Sequence, residues 1–374
     1  MNYQNRYLFD QVQQDLAKKM VFLAGPRQVG KTTFAKFLLG KQQQAGYLNW
    51  DIAAHREKLL KQQLPPTDFW VLDEIHKYKS WRNYLKGLYD QFHEDKKILV
   101  TGSARLDLYR RGGDSLQGRY HFLRLYPFTV AELAITKQKD YEQLLKLSGF
   151  PEPFLSSSAV DAKRWSRDYR QRLIQEDLLS LEPVHDVGNL ELLMLRLPAL
   201  VGSPLSLNNL REDLQVSHHT IDKWIEIFCK LYAVFKIAPL GSPGIRAIKK
   251  AQKHYHFDWS LVTQAGPRFE NLVAVHLLKW VHYEQDTQAR NVELRYFRDN
   301  DGREVDFVIT EDDQPIYAIE CKVSDDDISK HLNYFKRKFP QCEAWQLTSD
   351  AQAHFISKDG IHCAQAMEFL KKLI

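Results

Sequence analysis

The chain has 374 residues and a net charge of +5, long enough for two or three domains that each bury a core. That mild charge permits an acidic partner without demanding one, and the composition is that of a globular protein free of low-complexity tracts and internal repeats. No stretch approaches the ~20 apolar residues that cross a bilayer, so no membrane partner is expected. The cysteines Cys229, Cys321, Cys342 and Cys363 are widely spaced with no CxxC pair, which argues against a zinc site or a disulfide framework. Met1 to Lys19 is polar and lacks the apolar core of a signal peptide, so the expected location is cytoplasmic.

Arg6 to Lys18 reads as an amphipathic helix with Leu8, Val12 and Leu16 on one face. A short apolar strand, Met20 to Ala24, then feeds Gly25-Pro26-Arg27-Gln28-Val29-Gly30-Lys31-Thr32, which matches the phosphate-binding loop at every fixed position. Gly25 and Gly30 let the backbone turn its N–H groups onto a polyphosphate, Lys31 reaches the β- and γ-phosphates, and the Thr32 hydroxyl is placed to ligate Mg²⁺. Thr33 opens a run to Leu39 with helical spacing, so the loop has the strand–loop–helix setting it needs.

Gly46 to Asp51 reads as a second strand with a polar tip, and Pro65-Pro66 breaks the chain. Phe69-Trp70-Val71-Leu72-Asp73-Glu74 is a buried strand delivering two carboxylates to the sheet edge, the Walker B pattern. Asp73 is expected to hold Mg²⁺ and Glu74 to polarise the attacking water. Lys97 to Ala104 is a third strand with a small polar end, where Ser103, with Thr101 as alternate, is expected to sense the γ-phosphate. Arg119 is a candidate transition-state cation, in cis or toward a neighbouring copy in a homo-oligomer. The guanine-reading NKxD motif does not occur, so ATP is the expected nucleotide.

Gly25–Thr32, Val71-Leu72-Asp73-Glu74-Ile75-His76, Thr101-Gly102-Ser103 and Gly118-Arg119-Tyr120 through Tyr126-Pro127-Phe128 together resemble the prokaryotic AAA-superfamily ATPases fused to a C-terminal domain of formerly unknown function. The resemblance covers essentially the whole chain. It implies an α/β architecture: a P-loop AAA-type parallel sheet with a helical lid, then a winged helix-turn-helix and an α/β restriction-endonuclease-like domain. The corresponding boundaries are 1–130 for the ATPase core, 131–185 for the lid, 186–260 for the winged helix and 261–374 for the nuclease-like domain.

Within the middle region, Leu207–Leu214 and Ser217–Tyr232 read as the two helices of a helix-turn-helix, joined by Gln215-Val216, with Ile221, Trp224, Ile225 and Phe228 inward. If it reads DNA, His218, His219 and Lys223 face the groove, and a wing with Arg246, Lys249, Lys250 and Lys253 touches phosphate; Asp222 and Glu226 suit a protein-binding module equally. Farther on, Asp306 lies on one alternating strand, and Glu320 and Lys322 share a face of the next. With Glu270 from the preceding helix, they fit the PD-(D/E)XK nuclease pattern, with Val305 in place of its proline. Asp306 and Glu320 would hold Mg²⁺ or Mn²⁺, and Lys322 would orient the water. The expected function is an ATP-hydrolysing AAA-type ATPase that positions a winged helix and a metal-dependent nuclease-like domain on nucleic acid, most simply DNA. The alternative is an ATP-controlled regulator whose nuclease-like fold is inactive.

Overall fold

The computed structural model describes residues 6–102, 116–178, 186–241, 252–324, 327–350 and 354–374, and it divides into two compact units. The first comprises the chain up to Pro127 together with Lys230–Tyr232; the second comprises Phe128–Cys229 and Ala233–Ile374. In the first unit α1 (Phe9–Leu16) leads into β1 (Met20–Ala24), α2 (Lys31–Leu39), β2 (Tyr47–Asn49), α3 (Ala53–Leu60), β3 (Phe69–Asp73), α4 (Trp81–Phe92), β4 (Lys97–Thr101) and β5 (Tyr120–Arg124). The five strands form one sheet in the order β2-β3-β4-β1-β5, and every pairing is parallel. Every residue of β1 and β3 is buried, which is why both read as continuous apolar runs rather than alternations. The amphipathic face of α1 is buried at Leu8, Val12 and Leu16, as its spacing predicts.

The second unit begins with α5 (Gln138–Leu147), α6 (Pro151–Ser156) and α7 (Ala159–Arg172), continued by a wider π turn over Leu173–Leu178. Within their own unit these helices are tied to the C-terminal half of the chain. The Trp259 indole donates to the Leu144 carbonyl at 3.0 Å, and the Ser166 hydroxyl donates to Asp258 at 2.8 Å. Three helices follow: α8 (Val187–Arg196), α9 (Leu207–Leu214) and α10 (His218–Lys230). Gln215, at φ 53, makes the left-handed turn after α9, and the Ser217 hydroxyl caps α10 by accepting from the Thr220 N–H. Ile221, Trp224, Ile225 and Phe228 are buried, whereas His218, His219, Asp222 and Lys223 are exposed.

Then come β6 (Val234–Pro239), β7 (Lys253–His256), α11 (Ala265–Gln288), β8 (Val292–Arg298), β9 (Glu304–Glu311), β10 (Gln314–Lys322), α12 (Lys330–Lys338), β11 (Glu343–Thr348), β12 (Phe355–Ile356), β13 (Ile361–Gln365) and α13 (Ala366–Leu370). The strands make a mixed eight-stranded sheet, β12-β13-β11-β10-β9-β8-β6-β7. β6 pairs with β7 and also with β8, at Ala238–Arg295 and Pro239–Tyr296, so both strands belong to the C-terminal sheet. Arg246, Lys249 and Lys250 lie outside the described residues. The spine of this unit is α11, whose His276 is buried and neutral: its Nε2 accepts the Val130 N–H at 3.1 Å and its Nδ1–H donates to Leu272 at 2.8 Å. Burial pushes the imidazole down to about 3, in keeping with that tautomer.

Candidate functional site

The phosphate-binding loop leaves the carboxyl edge of β1, between β4 and β5. Gly25 is obligatory for a packing reason: a Cβ there would stand 2.1 Å from the Leu125 carbonyl oxygen, and its φ is +144°. Gly30, at φ 96, ends the loop and starts α2, so the first N–H groups of α2 have no partner in their own helix and line the concave side. Lys31 opens that helix, and its ammonium donates to the Gly25 carbonyl at 2.9 Å and the Pro26 carbonyl at 2.6 Å. Arg6 braces the loop from behind, donating to the Val29 carbonyl at 3.1 Å and the Tyr126 carbonyl at 2.6 Å.

Asp73 ends β3 facing this loop and is almost wholly buried. Its Oδ2 accepts from the Thr32 hydroxyl at 2.9 Å, the Tyr47 hydroxyl at 2.7 Å and the Asn49 amide at 3.2 Å, while Oδ1 accepts from the Thr101 hydroxyl at 2.5 Å. A hydroxyl and a carboxylate oxygen in contact at a helix N-terminus are the hard oxygen pair that Mg²⁺ takes in P-loop sites, so the donor set fits that ion. Glu74 follows in a left-handed conformation, φ 58 and ψ 19, and its N–H continues the ladder to the Thr101 carbonyl at 2.9 Å. Burial raises the Glu74 carboxyl above the usual glutamate range against the pull of Lys77 and Lys31; Lys77 Nζ lies 3.5 Å away and His76 Nε2 3.6 Å.

A second constellation lies in the other unit. The β9–β10 register, Phe307 against Ile319, brings Asp306 beside Glu320, and the Cys321 N–H donates to Asp306 Oδ2 at 2.8 Å. Lys322 pairs with Glu320 at 3.1 Å. Glu270 reaches the same place from α11; Gly202 leaves it room, since a Cβ there would stand 2.9 Å from Glu270 Oε2. The centre of the cluster is held by Lys253 of β7. Its fully buried ammonium lies 2.6 Å from Glu304, 3.5 Å from Glu270 and 3.7 Å from Asp306. Burial opposes the Lys253 charge, but the fields of Glu270, Asp306 and Glu304 outweigh it and raise its pKa. Burial, with Asp306 adding to it, pushes Glu270 and Glu320 each up to about 7. Among the described residues no group of three or more His, Cys, Asp or Glu side chains is arranged to hold a metal ion. The Lys253 ammonium thus stands among Glu270, Glu304 and Asp306, whereas Glu320 is paired with Lys322.

Residues 17–134 match a family model described as an AAA domain. The loop, both Walker B carboxylates and all five parallel strands fall within that match. Residues 17–134 are an AAA domain. The segments after it, 138–271 and 265–368, match models described as domains of unknown function (DUF8612 and DUF4143). An uncharacterized protein of Haemophilus influenzae is 22% identical over 336 residues, covering 79% of this chain and 80% of its own length. An uncharacterized protein of Mycobacterium tuberculosis is 24% identical over 246 residues, covering 65% of this chain and 55%, about half, of its own length. Among solved structures, a Walker-type ATPase of Pyrococcus abyssi is 14% identical with a TM-score of 0.41, over 68% of this chain and 92% of that one. AMPPCP-bound DnaA from Aquifex aeolicus is 14% identical with a TM-score of 0.34, over 60% and 88%.

In the AAA domain, Lys31, Thr32, Asp73 and Glu74 converge at one sheet edge. Ser103 lies outside the described residues. Its alternate Thr101 is buried and its hydroxyl is committed to Asp73. Arg119 is at the opposite edge. Register pairs Met20 with Tyr120 and Ala24 with Arg124, so Arg119 and the loop are separated by the length of β5, roughly 15 Å. There it pairs with Asp90 at 2.8 Å. Tyr47, Asn49 and Arg6 are contributors that motif spacing does not reveal; only the polar tip of β2 hinted at the first two. Lys253 corrects a different expectation: it is a buried ion-pair partner, not a phosphate-touching wing lysine.

Proposed function

We propose that the protein binds and hydrolyses ATP with Mg²⁺ in the cytoplasm, and that this cycle positions a winged helix (residues 186–260) and a nuclease-like domain (residues 261–374) on nucleic acid. The observation that carries the ATPase half is the meeting of Thr32 and Asp73 beside Lys31 and Glu74. In this reading the loop from Gly25 to Thr33, with Pro26, Arg27, Gln28 and Val29 between the glycines, wraps the polyphosphate, and Lys31 neutralises its β- and γ-oxygens. Thr32 and Asp73 would hold Mg²⁺, which when bound draws charge from the γ-phosphoryl group. Tyr47, Asn49 and Thr101 fix the Asp73 carboxylate so that it need not reorganise. Glu74 orients the attacking water and takes its proton, for which it must be ionised. Lys31→Ala should abolish tight ATP binding in calorimetry, and Glu74→Gln should bind ATP normally while its hydrolysis falls by about 10²-fold or more. Normal turnover by Glu74→Gln would remove Glu74 from its role.

For the C-terminal domain the sequence pattern of Glu270, Asp306, Glu320 and Lys322 supports metal-dependent cleavage of nucleic acid. The buried Lys253 ammonium favours a second reading, in which this fold binds without cutting and the protein is an ATP-controlled regulator. Incubation with DNA and Mg²⁺ or Mn²⁺ separates them. Cleavage that disappears in Asp306→Ala and in Lys322→Ala establishes a nuclease; no cleavage by the wild type, or cleavage unchanged in both variants, leaves the regulator.

A further inference from the structure

The second unit contains a cavity of about 750 Å³ walled by Lys146, Lys163, Arg164, Arg167, Arg170 and Arg268. No carboxylate is among its described lining residues. Two acids touch the lining residues: Asp258 accepts from the Ser166 and Ser260 hydroxyls at 2.8 and 2.6 Å, and Asp168 lies 3.6 Å from Arg167. Two of the cations are anchored to backbone. Arg170 Nε donates to the Ser166 carbonyl at 3.3 Å, and Arg268 donates to the Val262 and Thr263 carbonyls at 2.6 and 3.1 Å. Lys146, Lys163, Arg164 and Arg167 are exposed arms around them. Six like charges around one concavity repel one another in the free protein, a cost that an anion in the cavity relieves. Burial also disfavours the Arg170 charge, opposed only by the field of Asp258.

The cavity does not end there. A second one, about 340 Å³, shares Arg167 and Arg170 and is otherwise walled by Gln171, Ile174, Gln175, Glu191, Met194 and Leu195. Leu195 and its neighbour Leu192 are 59% and 53% exposed, unusual for leucines on a helix packed against others. Along α7 the charges at positions 163, 164, 167 and 170 cover about 10 Å, room with their long side chains for roughly two to three successive phosphates of one strand. A cationic track beside a wall that mixes apolar side chains with the hydrogen-bonding groups of Gln171, Gln175 and Glu191 suits a strand whose bases are unstacked, since a duplex hides its bases and a free polyphosphate has none.

We propose that this groove binds single-stranded nucleic acid, with the phosphodiester backbone along α7 and bases on the Ile174–Met194–Leu195 shelf. The proposal rests on the nucleic-acid reading above and moves the contact away from the exposed face of α10. Its test is fluorescence anisotropy with a labelled single strand, the matching duplex and unlabelled tripolyphosphate as competitor, across a salt series. The wild type binds the single strand more tightly than the duplex. Lys163→Glu/Arg164→Glu/Arg167→Glu weakens it by about tenfold or more and lowers the salt slope by about 2, three phosphate contacts at ~0.7 each. The milder Lys163→Gln/Arg164→Gln/Arg167→Gln moves affinity the same way by a smaller factor, and thermal melts monitored by circular dichroism confirm that both variants are folded. The control His219→Glu/Lys223→Glu changes affinity less than twofold. Binding unchanged in both triple variants, a loss confined to the α10 control, or tripolyphosphate displacing the strand at equal molar phosphate each overturns the groove while the nucleic-acid reading stands. Failure of the wild type to bind any strand overturns both.

Discussion

Glu74 occupies a backbone region that non-glycine residues enter at a cost of about 1–3 kcal/mol, and the reason is positional. Asp73 must point into the loop toward Thr32, and the next side chain must clear the sheet edge, so the chain turns sharply between two acids. The same setting dictates a pH dependence. Burial lifts the Glu74 pKa while Lys77 and Lys31 hold it down, and only the ionised carboxylate can accept a proton. Hydrolysis should therefore fall as pH drops through a value above that of ordinary glutamate. Lys77→Met, which removes one of the restraining charges, should move that acid limb further up the pH scale; a limb that does not move would mean that another group controls it. These two acids, with Lys31 and Thr32, were readable from spacing because each motif is local in sequence. Tyr47 and Asn49 were not, since they reach Asp73 only through the parallel register that sets Asn49 against Asp73.

At the scale of elements, β7 departs most from what the residues suggest. The run from Arg246 to Lys253 looks like a solvated basic wing, but β7 closes the edge of an eight-stranded sheet and all four of its residues are buried. Alternation puts Lys253 and Tyr255 on one face, where Tyr255 donates to Glu270 at 2.6 Å and Lys253 meets three carboxylates. Nothing local announces this, because β6 finds its parallel partner β8 across some fifty residues of chain. Lys253→Met keeps the volume and deletes the charge, leaving buried acids unpaired, so it should destabilise the protein by roughly 3–5 kcal/mol near pH 8. The pH sign follows from the acids. Burial already raises Glu270 and Asp306, and losing the ammonium raises them further; stability is then highest below the unfolded value of about 4 and declines as pH rises through the folded values. The deficit relative to wild type should shrink toward pH 5 in thermal melts. Partial recovery of the variant on adding Mn²⁺ would show that the acids accept a metal once the ammonium is gone, whereas no recovery would fix the cluster as purely structural.

For the whole molecule, the parallel sheet around the phosphate loop followed the motifs closely, since a P-loop and a Walker B strand both belong at the carboxyl edge of one parallel sheet, with β4 inserted between them here. The second unit did not, because its sheet is assembled from strands on both sides of α11 and the segment at Thr129–Glu132 is tied to that helix through His276 and Lys279. Lys279 pairs with Glu132 and donates to the Thr129 hydroxyl at 3.2 Å, which makes residues 128–135 part of the second unit's core. A nucleotide cycle in one unit can act on a ligand of the other only through a coupling free energy, and that energy is reciprocal. With the hydrolysis-deficient Glu74→Gln protein, ATP should change the dissociation constant for a single strand by some factor, and the strand should change that for ATP by the same factor, typically about 5- to 150-fold. Calorimetry on all four sides of the binding cycle measures it. A factor of one would leave the ATPase and nucleic-acid activities as independent properties of one chain, and would end the claim that the first positions the second.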